Sequence, residues 1–416
     1  MMKLKAALTS LLATTLTGAA FAQQGPVPTG VPHLDHVWMI MMENHGYSQI
    51  LTNPNEPFVN KYAKAANLAT NYFAVAHPSL TNYLETVGGS NFGVLDDNSP
   101  DWHNAACTTN LQSTPNFETS TNAICPISGG GPDAATPAID TVNEVPGQPV
   151  VNIDGTASYD ANPNTVGLTI ADQLAAVGKS WKSYQESLPI EGANLINNSD
   201  GFFNDATDFT KLNPQLTPPL TSADLVKLYA VKHNPFVYFH SVQEGTGALS
   251  LKNVVSFEGD NGLFGDLSAG RVPNFSFIAP NQCNDQHGRG NAGAFCNFDP
   301  NDNGTQAGLN PALILKGDLT VQRIVAAIHG SPAWKRGRNA VVLIWDENDY
   351  SVAPVINQVV AVVDTNYGPH HKQSGNFYTH FSLLKTIEGG FGVGCLNHAC
   401  DASTNAMTDL FSATSK

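Results

Sequence analysis

Positive charge is scarce in this chain of 416 residues. It contains 20 lysines and arginines against 35 aspartates and glutamates, which gives a formal net charge of −15. No lysine or arginine occurs between Lys64 and Lys179. Binding along a nucleic-acid backbone requires a basic surface, and so does electrostatic docking on anionic lipid. The composition therefore argues against nucleic acid and anionic membranes as partners.

Long apolar runs and the C-x-x-C spacing of cysteines are also lacking. After the N-terminal segment, no stretch approaches the ~20 apolar residues that a membrane-spanning helix needs. No C-x-x-C spacing occurs, which disfavours a zinc–thiolate site. The cysteines form three couples that are close in sequence: Cys107 with Cys125, Cys283 with Cys296, and Cys395 with Cys400. We expect these couples to be disulfides, as is typical of exported proteins.

The first 22 residues have the features of a secretory signal peptide. Lys3 and Lys5 give a positive start, small apolar residues follow, and Ala20-Phe21-Ala22 resembles a cleavage site. We expect the mature protein to be secreted or periplasmic, without stable membrane insertion. Residues 23–416 are predicted to form a single domain. A loop-rich excursion at about residues 90–167 interrupts it, and loops of this length are usually functional or disordered.

Apolar strands alternate with helices along most of the chain. The run Val37–Met42 is short, apolar and followed at once by polar residues, which favours a buried parallel strand over a buried helix. Further strands are predicted from Trp181, Phe236 and Phe275, and in two segments towards the C-terminus, NAVVLIW and VINQVVAVVD. A helix is predicted from Asp318, with that residue as its cap. The pattern predicts an α/β protein with a mostly parallel central sheet between two helical layers, a three-layer α/β/α sandwich.

Polar residues follow three of the predicted strands. They are Glu43 and Asn44, then Asp285 and His287, then Asp346 and Glu347. Ligands bind beyond the carboxyl ends of the strands in such sheets. Oxygen and imidazole groups suit a divalent cation, although solvated strand ends are the alternative. Ser79 is predicted at a strand-to-helix turn, where unpaired N–H groups favour an anion.

Several segments resemble a known family when they are taken in order. ENHGYS, HPSLTNYL, FIAPNQCNDQHG, WDEND and FYTHFSLLKTIE are similar to motifs of the bacterial and fungal phosphoesterase family. That family includes secreted acid phosphatases and non-haemolytic phospholipases C, and it belongs to the alkaline phosphatase-like superfamily. The resemblance runs from about His33 to Asp401 and implies the superfamily fold.

The resemblance also implies roles for individual residues. Ser79 matches the nucleophile that is phosphorylated, and Asn82 matches the amide that binds a phosphoryl oxygen. His287 matches the histidine of a D-x-H element, and His380 matches a histidine that contacts metal or phosphate. The metal or phosphate contacts would come from Glu43, Asn44, Asp285, Asp346 and Glu347.

The expected function is that of an exported, metal-dependent acid phosphatase. It would hydrolyse phosphate monoesters through a phosphoserine intermediate, with a divalent ion whose identity the sequence does not indicate. The substrate would be a small phosphate ester, and phospholipid is a further candidate. Two alternatives remain open at this point: a phospholipase C-type phosphodiesterase, and an exported binding protein of the same fold without turnover.

Overall fold

The computed structural model describes residues 24–92, 94, 97, 99–100, 166–190, 194–211, 217–243, 245–288, 296, 311–349 and 356–414. The expected signal peptide, most of the 90–167 excursion and the couple Cys107 and Cys125 lie outside these ranges. Two of the expected disulfides are formed, Cys283 with Cys296 and Cys395 with Cys400. None of the described helices combines the length and apolar character needed to cross a bilayer.

The described strands number ten. They are β1 His36–Met42, β2 Asn67–Ala69, β3 Tyr72–Phe73, β4 Trp181–Gln185, β5 Val254–Ser256, β6 Phe275–Ala279, β7 Asn339–Trp345, β8 Ala361–Thr365, β9 Gln373–Ser374 and β10 Tyr378–Thr379. Eight of them form one sheet in the order β5-β4-β6-β1-β7-β8-β2-β9, and β10 pairs with β3 separately. In the large sheet only β8 runs antiparallel to its neighbours, so the predicted mostly parallel sheet is confirmed.

The described helices are α1 Tyr47–Ile50, α2 Pro57–Ala65, α3 Ser79–Gly88, α4 Ile170–Ala176, α5 His240–Gln243, α6 Leu263–Ala269, α7 Pro311–Gly330 and α8 His380–Phe391. Six of them form two packed groups, α3 with α4 and α8, and α7 with α2 and α6. With the sheet they form the three-layer α/β/α architecture that the sequence predicted.

Strand β1 is the centre of the sheet. It pairs in parallel with β6 on one side and with β7 on the other. The β1 residues Val37–Met42 and every residue of β6 and β7 are buried. Burial on both faces explains why these strands read as apolar runs and not as alternating patterns. The parallel pairing brings the carboxyl ends of β1 and β7, Met42 and Trp345, side by side.

Two local predictions were wrong. The segment from Phe236 is not a strand: a 3-10 helix covers Pro235–Tyr238 and the short α5 follows it. Pro235 fixes its own backbone and lacks an N–H group, which suits a helix start better than a central strand. Asp318 lies inside α7 and does not cap it. Its carboxylate instead accepts hydrogen bonds from the Phe58 and Val59 N–H groups and caps α2.

Candidate active site

Ser79 begins α3, and its hydroxyl lies among three charged side chains. Ser79 Oγ is 3.1 Å from both Glu43 Oε2 and Glu347 Oε1. The ammonium of Lys232 lies 3.2 Å from the same oxygen. The serine is almost fully buried. A hydroxyl has one proton, so Ser79 can donate to only one carboxylate at a time while it accepts from the ammonium.

Glu43 and Asp346 follow the adjacent strands β1 and β7. The Asp346 N–H donates to the carbonyl of Met42 at 2.9 Å, and the Asn44 N–H donates to Asp346 Oδ1 at 2.9 Å. The side-chain amide of Asn44 is 3.5 Å from Glu43 Oε2. Asp346 Oδ2 is buried and makes no hydrogen bond within the described part of the chain. The predicted cluster at this edge of the sheet is therefore formed by Glu43, Asn44 and Asp346.

Glu347 connects the nucleophile to two neighbouring side chains. Its Oε2 is 2.7 Å from His77 Nδ1 and 3.2 Å from Asn82 Nδ2. Burial lowers the pKa of His77 to about 3, which favours the neutral ring at pH 7. Asn82 Oδ1 also accepts from the N–H groups of Val75 and Ala76. Asn82 therefore contacts both Glu347 and the turn that precedes α3.

Asp285 reaches the site through His233. His233 Nε2 is 3.1 Å from Glu43 Oε1, and His233 Nδ1 is 3.2 Å from Asp285 Oδ2. The imidazole stacks on the ring of Tyr83, with centroids 5.3 Å apart. Burial lowers the pKa of His233 and raises the pKa of both carboxyl groups. The ring therefore lies between the two acids and is close to both of them.

His287 lies beside Lys232, which contacts Ser79. Its Nδ1 lies 2.8 Å from the carbonyl oxygen of Gly288, which can only accept, so Nδ1 carries a proton. Its Nε2 is 3.5 Å from Lys232 Nζ. Its backbone N–H donates to Asp285 Oδ1 at 2.8 Å. Burial, followed by the charge of Lys232, lowers the pKa of His287 to about 4.

His380 lies behind the site. Its Nε2 donates to the backbone carbonyl of Asp346 at 2.7 Å, and its Nδ1 is 2.9 Å from the Tyr72 hydroxyl. A carbonyl only accepts, so in the neutral ring Nδ1 accepts from Tyr72. Burial lowers the pKa of His380 to about 4. Both nitrogens are thus used, and this placement favours positioning of Asp346 over the direct contact with metal or phosphate that the resemblance implied.

Three side chains at this candidate site were not found from the sequence. Lys232 and His233 lie in a 3-10 helix, Val231–His233, and Asp97 lies in the loop-rich excursion. Lys232 Nζ is 3.0 Å from Asp97 Oδ2. The other carboxylate oxygen, Asp97 Oδ1, accepts from the Leu80 N–H in α3. The sequence signal was a lysine–histidine pair directly before Asn234-Pro235, with Lys227 five positions earlier. The sequence around these residues has no strand or helix periodicity, so it could not predict that they lie near Ser79.

The acids of the site have the donor chemistry of a divalent-cation site. Burial raises the pKa of Glu43, Asp285, Asp346 and Glu347, and a neighbouring carboxylate raises each further. A divalent cation offsets such repulsion and binds carboxylate oxygen well. The buried Asp346 Oδ2 is a suitable ligand atom. Across the residues that the structure describes, however, no three acid, histidine or cysteine side chains are preassembled around one cation position.

Comparisons with known proteins identify similar chains. Residues 48–296 match the model of the Phosphoesterase family. The acid phosphatase of Aspergillus fumigatus is 24% identical over 396 residues, which cover 93% of this chain and 62% of that protein. The phosphatidylinositol-3-phosphatase of Mycobacterium tuberculosis is 22% identical over 405 residues, which cover 97% of this chain and 90% of that protein. This chain therefore spans less than two thirds of the Aspergillus relative.

One solved structure illustrates the structural likeness. A protein in the alkaline phosphatase superfamily from Vibrio parahaemolyticus aligns over 91% of this chain and 72% of its own, with 11% identity and a TM-score of 0.44. The region matched by the family model contains Ser79, Lys232, His233 and Asp285, whereas Glu43 and Asp346 lie outside it.

Proposed function

This chain belongs to the phosphoesterase family, and we propose from that premise that it is an exported, metal-dependent acid phosphatase. It would hydrolyse phosphate monoesters through a phosphoserine intermediate on Ser79. The observation that carries the proposal is the position of the Ser79 hydroxyl, buried between two carboxylates and an ammonium at the start of a helix. The carboxylates favour removal of the serine proton, and the ammonium and the helix start attract a phosphoryl group.

The proposed reaction has two displacements at phosphorus. In the first, Ser79 Oγ forms a bond to phosphorus and the bond to the leaving alcohol breaks. The serine proton passes to Glu43 or Glu347, each 3.1 Å from Oγ. The leaving oxygen takes a proton from solvent, and His287 stays neutral with its Nε2 facing the Lys232 ammonium. In the second displacement, water attacks phosphoserine, inorganic phosphate leaves and Ser79 regains its proton.

A divalent ion fits this proposal through the oxygen donors that surround Ser79. Glu43, Asn44, Asp346 and Glu347 are the residues proposed to hold it, with Asp285 acting through His233. When bound, such an ion would neutralise the acids and polarise a phosphoryl oxygen. His380 would keep the backbone at Asp346 in place, and Asn82 would do the same for Glu347.

The substrate panel should separate the candidate activities. The two relatives are named acid phosphatase and phosphatidylinositol-3-phosphatase, and both names describe removal of a phosphate from a monoester. Purified protein should be assayed on p-nitrophenyl phosphate, phosphatidylinositol 3-phosphate and phosphatidylcholine, each with and without chelator. Hydrolysis of phosphatidylcholine alone would identify a phospholipase C. No hydrolysis of any substrate would leave a binding protein.

The Ser79→Ala variant tests the nucleophile. We expect turnover of p-nitrophenyl phosphate to fall by at least about 1000-fold, because the covalent route is lost. Ser268→Ala is the matched control, since Ser268 is exposed on α6 and bonds only within its own helix. Circular dichroism should show both variants folded. Activity of Ser79→Ala within about tenfold of wild type, a difference of ~1.4 kcal/mol in activation free energy, would contradict the assignment.

Export is supported by the two disulfides that the described residues contain. Cys283–Cys296 and Cys395–Cys400 are both buried or nearly so, and such bonds persist in oxidising compartments. Fractionation of the producing cells, with enzyme activity measured in medium, periplasm and cytosol, tests this part of the proposal. Recovery of the active protein only from the cytosol would contradict it.

A further inference from the structure

Lys232 supplies the only ammonium or guanidinium that contacts Ser79 or the acids around it, among the residues that the structure describes. Its side chain is 14% exposed, so the charge lies mostly out of water. The ammonium has three protons, and three acceptors lie near it: Ser79 Oγ at 3.2 Å, Asp97 Oδ2 at 3.0 Å and His287 Nε2 at 3.5 Å. The Lys232 ammonium therefore lies near three side chains from separate segments of the chain, one of which is Ser79.

A phosphoryl group attached to Ser79 would have its oxygens beside this ammonium. Nζ is within hydrogen-bond distance of Oγ, the atom that bonds to phosphorus in the proposed intermediate. The hydrogen bond to Oγ can then be exchanged for one to a phosphoryl oxygen, with Asp97 still holding the side chain. A positive charge near developing negative charge, in a site with little water, contributes strongly to phosphoryl transfer.

We propose that Lys232 is a catalytic residue that makes the enzyme select dianionic monoesters over monoanionic diesters. This inference rests on the proposed phosphatase function and names its substrate class. The attraction between an ammonium and a phosphoryl group scales with the charge of that group. A monoester carries about two negative charges at neutral pH and a diester carries one. A diester also has a second substituent on one of the oxygens that would lie near Lys232.

A purely structural role for Lys232 makes a different prediction. If the lysine only neutralised Asp97, its loss would disturb α3 through the Asp97–Leu80 hydrogen bond and would slow all substrates equally. Selection by charge predicts unequal losses, largest for the dianion. The ratio of monoester to diester efficiency therefore separates the two roles.

The test compares Lys232→Met and Lys232→Arg with the control Lys252→Met, whose lysine is exposed. For each variant, kcat/KM is measured on p-nitrophenyl phosphate and on bis(p-nitrophenyl) phosphate. We expect Lys232→Met to lose about 100-fold on the monoester and less than about tenfold on the diester, in line with loss of one transition-state donor. Lys232→Arg should keep most of the preference, because the charge remains. Equal losses on both esters would overturn the inference.

Calorimetric titration with inorganic phosphate gives a readout that does not depend on turnover. Phosphate should bind Lys232→Met at least about tenfold more weakly than wild type, as expected for loss of a charge-assisted hydrogen bond. Unchanged phosphate affinity would overturn the inference even if wild type hydrolysed both esters. A wild type that hydrolyses neither ester would overturn the proposed function together with this inference, whereas hydrolysis with unchanged phosphate affinity of Lys232→Met would overturn the inference alone.

The Asp97→Asn variant covers the case in which Lys232→Met does not fold. It removes the carboxylate that competes for the ammonium and keeps an oxygen that can accept from the Leu80 N–H. Phosphate affinity should then rise, because Lys232 would have one less anionic partner. A fall in affinity would overturn the inference.

Discussion

Replacing Glu56 by glutamine should stabilise the protein at pH 8 and change its stability little near pH 4.5. Glu56 is buried at the N-cap of α2, where its carboxyl group accepts from the side-chain amide of Gln286 and is influenced by the nearby Asp318. Asp318 already accepts two backbone N–H groups of α2. Burial, followed by the neighbouring Asp318, raises the pKa of Glu56 to about 10. Glu56 is therefore protonated in the folded protein at neutral pH.

The sign and size of the effect follow from proton linkage. The folded pKa of about 10 lies above the ordinary value of 4.5. The contribution of Glu56 to stability is therefore complete below pH 4.5 and is lost as the pH rises towards 10. Between pH 4.5 and pH 8 the loss is of the order of 4 kcal/mol, at ~1.4 kcal/mol per pH unit. Glutamine is neutral at every pH and offers an N–H group to Asp318 and an oxygen to Gln286, so it removes this dependence.

Urea unfolding of both proteins between pH 5 and pH 8 measures the effect. The advantage of Glu56→Gln in free energy of unfolding should grow by about 1.3 kcal/mol per pH unit, seen as a shift in midpoint at constant slope. Glu258→Gln is the control, because Glu258 is exposed and its replacement should give no such trend. A difference between Glu56→Gln and wild type that stays constant with pH, or a wild type that is more stable at pH 8, would refute the assignment of a buried proton to Glu56.

Three further predictions concern the site and the cysteines. Asp346→Asn should lower bound divalent metal and turnover together, measured by elemental analysis and the p-nitrophenyl phosphate assay; full activity after exhaustive demetallation would contradict a metal role. His233→Gln should reduce turnover and metal affinity about 10–100-fold, because Glu43 and Asp285 lose the ring that bridges them. Peptide mapping without reductant should recover Cys107 linked to Cys125, and a free thiol at either position would contradict the expected pairing.

The sheet and the helix that begins at Ser79 could be predicted because their patterns are local. The apolar runs of β1 and β7 and the polar residues that end them are visible in the sequence, and parallel pairing then brings Glu43 and Asp346 together. The start of α3 at Ser79 was predicted from its position at the end of a short apolar run. These features require only a period, a length and a strand direction.

The contacts that complete the site could not be predicted, because they join segments far apart in the sequence. Lys232 meets Ser79 across 153 positions, and no local pattern encodes that approach. Asp318 was assigned to its own helix although its carboxylate caps α2, 259 positions away from Val59. His380 begins α8, and its ring bonds the backbone carbonyl of Asp346, which no local pattern indicates. Tertiary contacts determine the partners of these side chains, and local sequence propensity does not predict tertiary contacts.

The central place of β1 has a consequence for the timing of activity during synthesis. Its two partners, β6 and β7, are made about 240 and 300 residues later. Until β7 is made this apolar strand lacks at least one of its two neighbours, and contacts of such long range form slowly. A ribosome-bound chain that ends before Asn339 has Ser79 but lacks Asp346 and Glu347. The nascent polypeptide should therefore be catalytically silent, and it should depend on a holding chaperone until translation is almost finished.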